Sequence, residues 1–178
     1  MKVRFSTFPR TEPPPTWAAQ IVGVFERTQE RIGTIGLAKG LTSDQVLAAV
    51  AADLVGLGFQ VETGKTKEGK LDRPVFFGEN GLPTLRYQVD GYHAGWRCGL
   101  EIEAGRAWMG NAVYRDLIQA LVMVDVDWLC LAVPNTYKFL NGGKIVISKD
   151  YENTLSVADA IFGHTRVRLP YRLLLVGY

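Results

Sequence analysis

The sequence predicts an α/β fold: a single-domain mixed β-sheet flanked by helices on both faces. Three observations predict it. Two helix-period segments come first, a strand and a hairpin-like pair of strands follow, and then a helix leads into a strand that is apolar at nearly every position. The 178 residues are enough to bury one core. At 47% hydrophobic and 21% charged, the chain has the balance of a folded protein and not a disordered one. No shift in composition marks an internal boundary. The chain therefore reads as one domain, with a helical lead-in at 1–41, a core at 42–133 and a helix/strand extension at 134–178.

Each element has a local reason. Residues 11–16 carry three consecutive prolines and form a stiff lead-in to a first helix at about 17–32. Ile21, Val22, Val24 and Phe25 give that helix its apolar residues, and Gly33, Gly36 and Gly40 then break the chain. Thr42 and Gln45 stand three apart, the spacing of a capping box. Val46, Leu47, Val50, Ala51 and Leu54 recur on one face behind it, up to the stop at Gly56 and Gly58. A short strand is expected at 59–63, and 64–83, rich in Gly and Lys, is expected to include an irregular, mobile loop. Strands at 84–92 and 95–103 read as a hairpin. An amphipathic helix at 111–124 turns Val113, Leu117, Ala120, Leu121 and Val124 inward, and the strand at 126–133 reads as buried on both faces. A strand near 144–148, a helix at about 154–162 and a strand at 171–176 complete the order.

Composition narrows the function classes. The net charge of +2 is too mild to announce a nucleic-acid partner by itself. The longest apolar stretch, 117–134, is interrupted by Gln119, Asp125 and Asp127, so no membrane span is expected. The first residues lack the apolar run of a signal peptide, and a cytoplasmic location is expected. Cys98 and Cys130 each sit in an apolar run with no metal-ligand spacing, which indicates buried thiols instead of zinc or a disulfide. With only His93 and His164, and no serine in an elbow motif, a nucleophilic triad is not indicated.

The chemistry concentrates at Asp90, Glu101 and Glu103. Residues two apart in a strand share a face, so Glu101 and Glu103 point one way while Cys98, Leu100 and Ile102 point the other. The apolar set belongs in the core, which leaves the two carboxylates on a surface patch. Asp90 ends the preceding strand and can lie close, because neighbouring strands are about 5 Å apart. Gathered carboxylates repel and raise one another's pKa unless a cation neutralises them. Hard oxygen donors select Mg²⁺ or Mn²⁺, an ion suited to phosphodiester hydrolysis without a covalent intermediate. The bland alternative is a solvated hairpin face that carries ordinary acids.

Asp90 followed by Glu101, Ile102 and Glu103, with a helix and a buried strand after them, resembles the PD-(D/E)xK nuclease superfamily. Gly99, Leu100, Glu101, Ile102, Glu103, Ala104 and Gly105, followed by Tyr114, Arg115, Asp116 and Leu117, are similar to type II restriction enzymes of the Bgl and Bam kind. The resemblance covers residues 47–133. It implies a restriction-endonuclease-like fold and a Mg²⁺- or Mn²⁺-dependent endonuclease that cuts double-stranded DNA to leave a 5′-phosphate. Asp90 and Glu101 would bind the metal, and Ile102 would offer its backbone carbonyl. Glu103 stands where most members carry lysine, and would serve as a general base or orient water. Arg106, Lys67, another basic side chain or a second metal would then supply the missing positive charge. Val89 replaces the proline that usually precedes the aspartate. A further acid from an early helix is implied, with Glu30, Asp44 and Asp53 as candidates. The class commonly works as a two-fold homodimer.

Lys65, Lys67, Lys70 and Arg73 would suit DNA phosphates if their loop lies near this site, and otherwise form a solvated loop. Arg115 and Gln119, one turn apart on the helix after the motif, would touch phosphate or orient the carboxylates, or else form an exposed polar stripe. Arg106 is a further substrate-binding candidate. Arg166, Arg168 and Arg172 alternate in a strand-like stretch. Trp128 is expected to pack in the core, and His93 to sit in a surface turn. Two rivals to the nuclease are a nuclease-fold module that binds DNA or protein without cutting, and a scaffold whose carboxylates have no chemical role.

Overall fold

The structure, a computed structural model, describes residues 2–34, 37, 39–64, 66–105 and 110–178. Gly36, Lys65, Arg106 and Trp108 lie outside the described residues. The elements are β1 (Arg4–Phe8), α1 (Ala18–Ile32), α2 (Ser43–Gly56), β2 (Gln60–Val61), β3 (Leu71–Phe77), β4 (Pro83–Val89), β5 (Gly91–His93), β6 (Cys98–Ile102), α3 (Ala112–Val122), β7 (Trp128–Val133), β8 (Tyr137–Asn141), β9 (Lys144–Ser148), α4 (Asp150–Gly163) and β10 (Arg172–Gly177). Short 3₁₀ turns lie at Lys67–Gly69, Glu79–Gly81 and Ala94–Trp96.

Six strands form a mixed sheet in the order β1-β10-β7-β6-β5-β2. The three central strands, β10, β7 and β6, run parallel, and the strands outside them are antiparallel. Helices cover both faces, as the sequence predicts. One face packs Cys98, Leu100, Ile102, Cys130, Leu174 and Val176 against Ile21, Val24 and Phe25 of α1 and Val50 and Leu54 of α2. The other packs Leu129, Leu131, Val133, Leu173 and Leu175 against Val113 and Leu117 of α3 and Val157 and Ala158 of α4. The α2 capping box forms as its spacing requires. Thr42 Oγ1 accepts from the Gln45 amide at 3.3 Å, and Gln45 Oε1 accepts from the Thr42 amide at 2.9 Å. No helix of the described residues is long and apolar enough to cross a membrane. Both cysteines are buried and free.

Several expectations need correction. The segment 64–83 is not simply a loop: β3 lies within it and pairs with β4 as a two-stranded ribbon beside the main sheet. The partner of β6 is therefore the three-residue β5 and not a long strand at 84–92, because the chain bends at Asp90. Two further strands have no counterpart in the sequence reading: β1, which borders the sheet, and β8, which pairs with β9. Arg166 and Arg168 precede β10 instead of lying in it; Arg172 opens the strand and pairs with Glu12.

The connection from β5 to β6 is pinned tightly. His93 is not a plain surface turn residue: its Nδ1 accepts from the Trp96 amide at 3.0 Å, and its ring stacks on Trp96. Arg97 adopts a left-handed conformation, φ 47°, and its guanidinium grips both carboxylate oxygens of Asp127, at 2.7 and 3.1 Å. Trp128 packs against the core from a half-buried position, as predicted. These anchors fix the start of β6 and hence where Glu101 falls.

Candidate metal and phosphate site

Glu101 is paired in register with Leu131 of β7, so it points to the same face as the apolar cluster under α3. This revises the expected surface patch. In a strand covered on both faces, side-chain alternation separates one helix layer from the other, not core from solvent. Glu101 is accordingly 8% exposed. Among the described residues it has no hydrogen bond and no ion pair. Burial, reinforced by Asp90, Asp116 and Glu103, pushes its carboxyl well above the ordinary range.

Asp90 reaches the same place from the bend after β4. Its amide donates to the Leu100 carbonyl at 3.0 Å, and its Oδ2 accepts from the Ile102 amide at 2.8 Å. The N–H and C=O of one strand residue point to the same edge, so the Ile102 carbonyl faces the edge that Asp90 occupies. Burial raises the Asp90 carboxyl to about 6, opposed by the Ile102 hydrogen bond and the Lys70 ammonium.

Both carboxylates line an open pocket of about 490 Å³. Arg115 and Gln119 of α3 line it too, so the structure gathers these two candidates with Asp90 and Glu101. Arg86 and Asp72 from the ribbon complete much of the wall, as do Glu62 and Lys70. The carboxyl end of β6 thus opens into the pocket, the end of parallel strands where ligands bind in open α/β sheets.

Glu103 is placed differently. It lines a neighbouring hollow with Lys39, Thr42, Ser43 and Tyr137. Its Oε1 accepts from Arg115 Nη2 at 2.5 Å. Arg115 Nε also donates to Asp116 Oδ1 at 2.9 Å. Glu103 and Asp116 interact directly, and burial followed by the Glu103 charge raises the Asp116 carboxyl to about 8. The second Asp116 oxygen, Oδ2, is buried with no hydrogen-bond partner among the described residues, and burial beside the Glu103 charge favours the neutral form of this carboxyl. Among the described residues, no group of three or more His, Cys, Asp and Glu side chains is arranged to hold a metal. Four carboxylates line the pocket, from Glu62, Asp72, Asp90 and Glu101, and two of them, the half-buried Asp90 and the buried Glu101, stand beside the Ile102 backbone.

Of the remaining candidates, Glu30, Asp44 and Asp53 are absent from the pocket wall, and Asp53 stands 3.8 Å from Arg27. Lys67 sits in an exposed 3₁₀ turn and also does not line the pocket. Arg73 pairs with Asp125 at 3.2 Å and lies over the Tyr92 ring, which docks the ribbon against the body. Sequence reasoning missed Glu62 and the polar role of Asp116. Asp116 carried the one available signal, a carboxylate among the inward positions of a helix.

No family model matches the sequence, and no curated protein matches it. Among solved structures, the chain is similar to the restriction endonuclease BglII complexed with a DNA 16-mer. The TM-score is 0.44 and the identity 11%, over 99% of this chain and 76% of that one. At this level of likeness, function has to be argued from the side chains of the site.

Proposed function

We propose that this chain is a divalent-metal-dependent nuclease that hydrolyses phosphodiester bonds of double-stranded DNA as a homodimer of restriction-endonuclease-like subunits. The carrying observation is Glu101, a buried carboxylate without a hydrogen bond or ion pair among the described residues, beside the half-buried Asp90 on a pocket whose wall mixes Lys70, Arg86 and Arg115 with Glu62 and Asp72. Burying carboxylates without a counter-charge is costly, and a cation between them removes that cost. Hard oxygen donors suit Mg²⁺ or Mn²⁺, and here Asp90, Glu101 and the Ile102 carbonyl would hold it. When bound, the ion supplies Lewis-acid polarisation of a phosphate oxygen and acidifies water.

In the hydrolysis, the oxygen of water bonds to phosphorus while the bond from phosphorus to the 3′ oxygen breaks. Water gives up a proton and the leaving oxygen takes one, which leaves a 5′-phosphate. Arg115 faces the pocket with its guanidinium held by Glu103 and Asp116. It is placed to bind phosphate, and Glu103 serves it as a positioning residue. Gln119, on the same wall, offers a neutral donor and acceptor for orienting water or substrate.

A specific observation favours a second reading. Glu103 is occupied by Arg115 and Asp116, and the acids of the described residues form no three-membered ligand group. That suits a module that binds DNA without cutting it. Supercoiled plasmid treated with wild type, Asp90→Ala and Glu101→Ala in Mg²⁺ and in Mn²⁺ separates the two. Metal-dependent nicking or linearisation by wild type, lost in both variants, is the expected result. Folded wild type that binds duplex but never cuts it would select the binding module, and protein that neither binds nor cuts would sink both readings.

A further inference from the structure

The pocket holds three described cations, and they are committed to different degrees. Arg115 is tied to Glu103 and Asp116. Arg86, half exposed, stands 3.8 Å from Asp72. Lys70 is more enclosed, with its side chain 23% exposed, and is hydrogen-bonded to Glu62, whose side chain is 12% exposed. An ammonium has three donors, and Glu62 takes one of them.

The backbone fixes where that ammonium stands. The Glu62 amide donates to the Asp90 carbonyl at 2.8 Å, so the two acids lie on adjacent chain segments. The Thr63 amide donates to the Gly69 carbonyl at 3.1 Å, which closes the loop from which Lys70 emerges. Two backbone bonds and one side-chain bond thus tie the segments of Lys70, Glu62 and Asp90 together, and all three residues line the same pocket. Lys70 is close enough to pull the Asp90 carboxyl down against the effect of burial. A lysine held this way, with two donors remaining and a pocket in front of it, is suited to an anion that arrives between it and the carboxylates.

We infer that Lys70 is a catalytic residue of this pocket, donating from Nζ to a phosphate oxygen of the substrate, and that Glu62 is the positioning residue that holds it there. The inference rests on the phosphodiester reading of the same pocket. A fixed ammonium at that place stabilises the extra negative charge on phosphate as water adds, and such a preorganised donor commonly contributes roughly 10²–10³-fold to rate.

The test uses wild type, Lys70→Ala, Lys70→Arg and Glu62→Gln, with folding checked by circular dichroism. Three quantities are measured: single-turnover duplex cleavage in Mg²⁺, calorimetric affinity for Mg²⁺ alone, and affinity for a 5′-phosphorylated dinucleotide in Mg²⁺. Lys70→Ala is expected to cut roughly 10²–10³-fold more slowly. It should bind the dinucleotide at least about tenfold more weakly, yet hold Mg²⁺ as tightly as wild type or more tightly, since a cation beside the carboxylates has gone. Lys70→Arg should recover part of both losses, and Glu62→Gln should lose less than Lys70→Ala. A purely structural lysine would weaken Mg²⁺ and dinucleotide together, and that outcome overturns the inference. So does a Lys70→Ala protein that cuts and binds as wild type does. If wild type never cuts, but its dinucleotide affinity still depends on Lys70, the nuclease reading falls and the phosphate contact stands. If wild type binds no dinucleotide, both fall.

Discussion

Asp116 is a buried carboxyl beside the charge of Glu103. Its carboxyl moves from an ordinary 3.8 to about 8, first through burial and then through the charge of Glu103. Between those two values the folded chain binds more protons than the unfolded chain, so this group's contribution to stability falls as pH rises through the window. Asp116→Asn removes the penalty and keeps an oxygen for the Arg115 Nε. The melting temperature of that variant, measured relative to wild type, is expected to climb from pH 5 to pH 9; a difference flat across the range would mean that the carboxyl is not titrating there. Asp90 acts in the same sense over a narrower window, from 3.8 to about 6. Glu101, Arg115 and Gln119 were legible from spacing because each belongs to a periodic element, where position fixes direction, while Asp90 lies in the bend that follows β4. Glu62 was not legible, and Lys70 was named only as one of four basic residues whose nearness to the site the sequence left open. Glu62 and Lys70 meet Asp90 through backbone bonds between segments distant in sequence, and no local pattern records such bonds.

Elements were legible where one local rule decided them. The α2 cap is such a case, with both of its hydrogen bonds formed as the Thr42 and Gln45 spacing demands. Thr42→Ala is expected to cost about 1 kcal/mol in denaturant unfolding, with an unchanged m-value. A cost near zero would show that tertiary contacts alone hold the end of that helix. The ribbon of β3 and β4 obeyed no simple rule. Pro74 sits inside β3, the register shifts between Pro74 and Phe76 and again before Phe77, and Phe76 and Phe77 are both exposed. Alternation is lost in such a strand, so it reads as a loop. β1 is five residues long and ends at a proline, and its partner lies at the far end of the sequence, so its pairing is invisible locally. The sidedness of β6 failed for another reason: whether a strand's second face meets water depends on α3, which is not part of the strand.

At the scale of the whole molecule, the sheet is a rigid frame that sets Glu101 in a buried position with Asp90 beside it. Glu101 lies across from Leu131 on a central strand, where the surrounding layers leave little room for relaxation. If the proposed metal binds there, the site trades stability for binding. Without divalent ion, Glu101→Gln is expected to be more stable than wild type by roughly 0.5–2 kcal/mol. Adding Mg²⁺ at pH 8 should raise the melting temperature of wild type and leave the variant unmoved, because a ligand stabilises only the state that binds it. An equal rise in both proteins would place the ion somewhere other than this pocket.

The strand order also has a bearing on how the chain is made. β10 lies between β1 and β7, so β1 can take its place only after β10 has been synthesised. Until then the nascent polypeptide presents β7, apolar on both sides, as an open sheet edge, the kind of surface that recruits other strands. This protein should therefore depend on chaperones during translation far more than its finished form suggests, and stalling synthesis before β10 should yield aggregate instead of a smaller folded core.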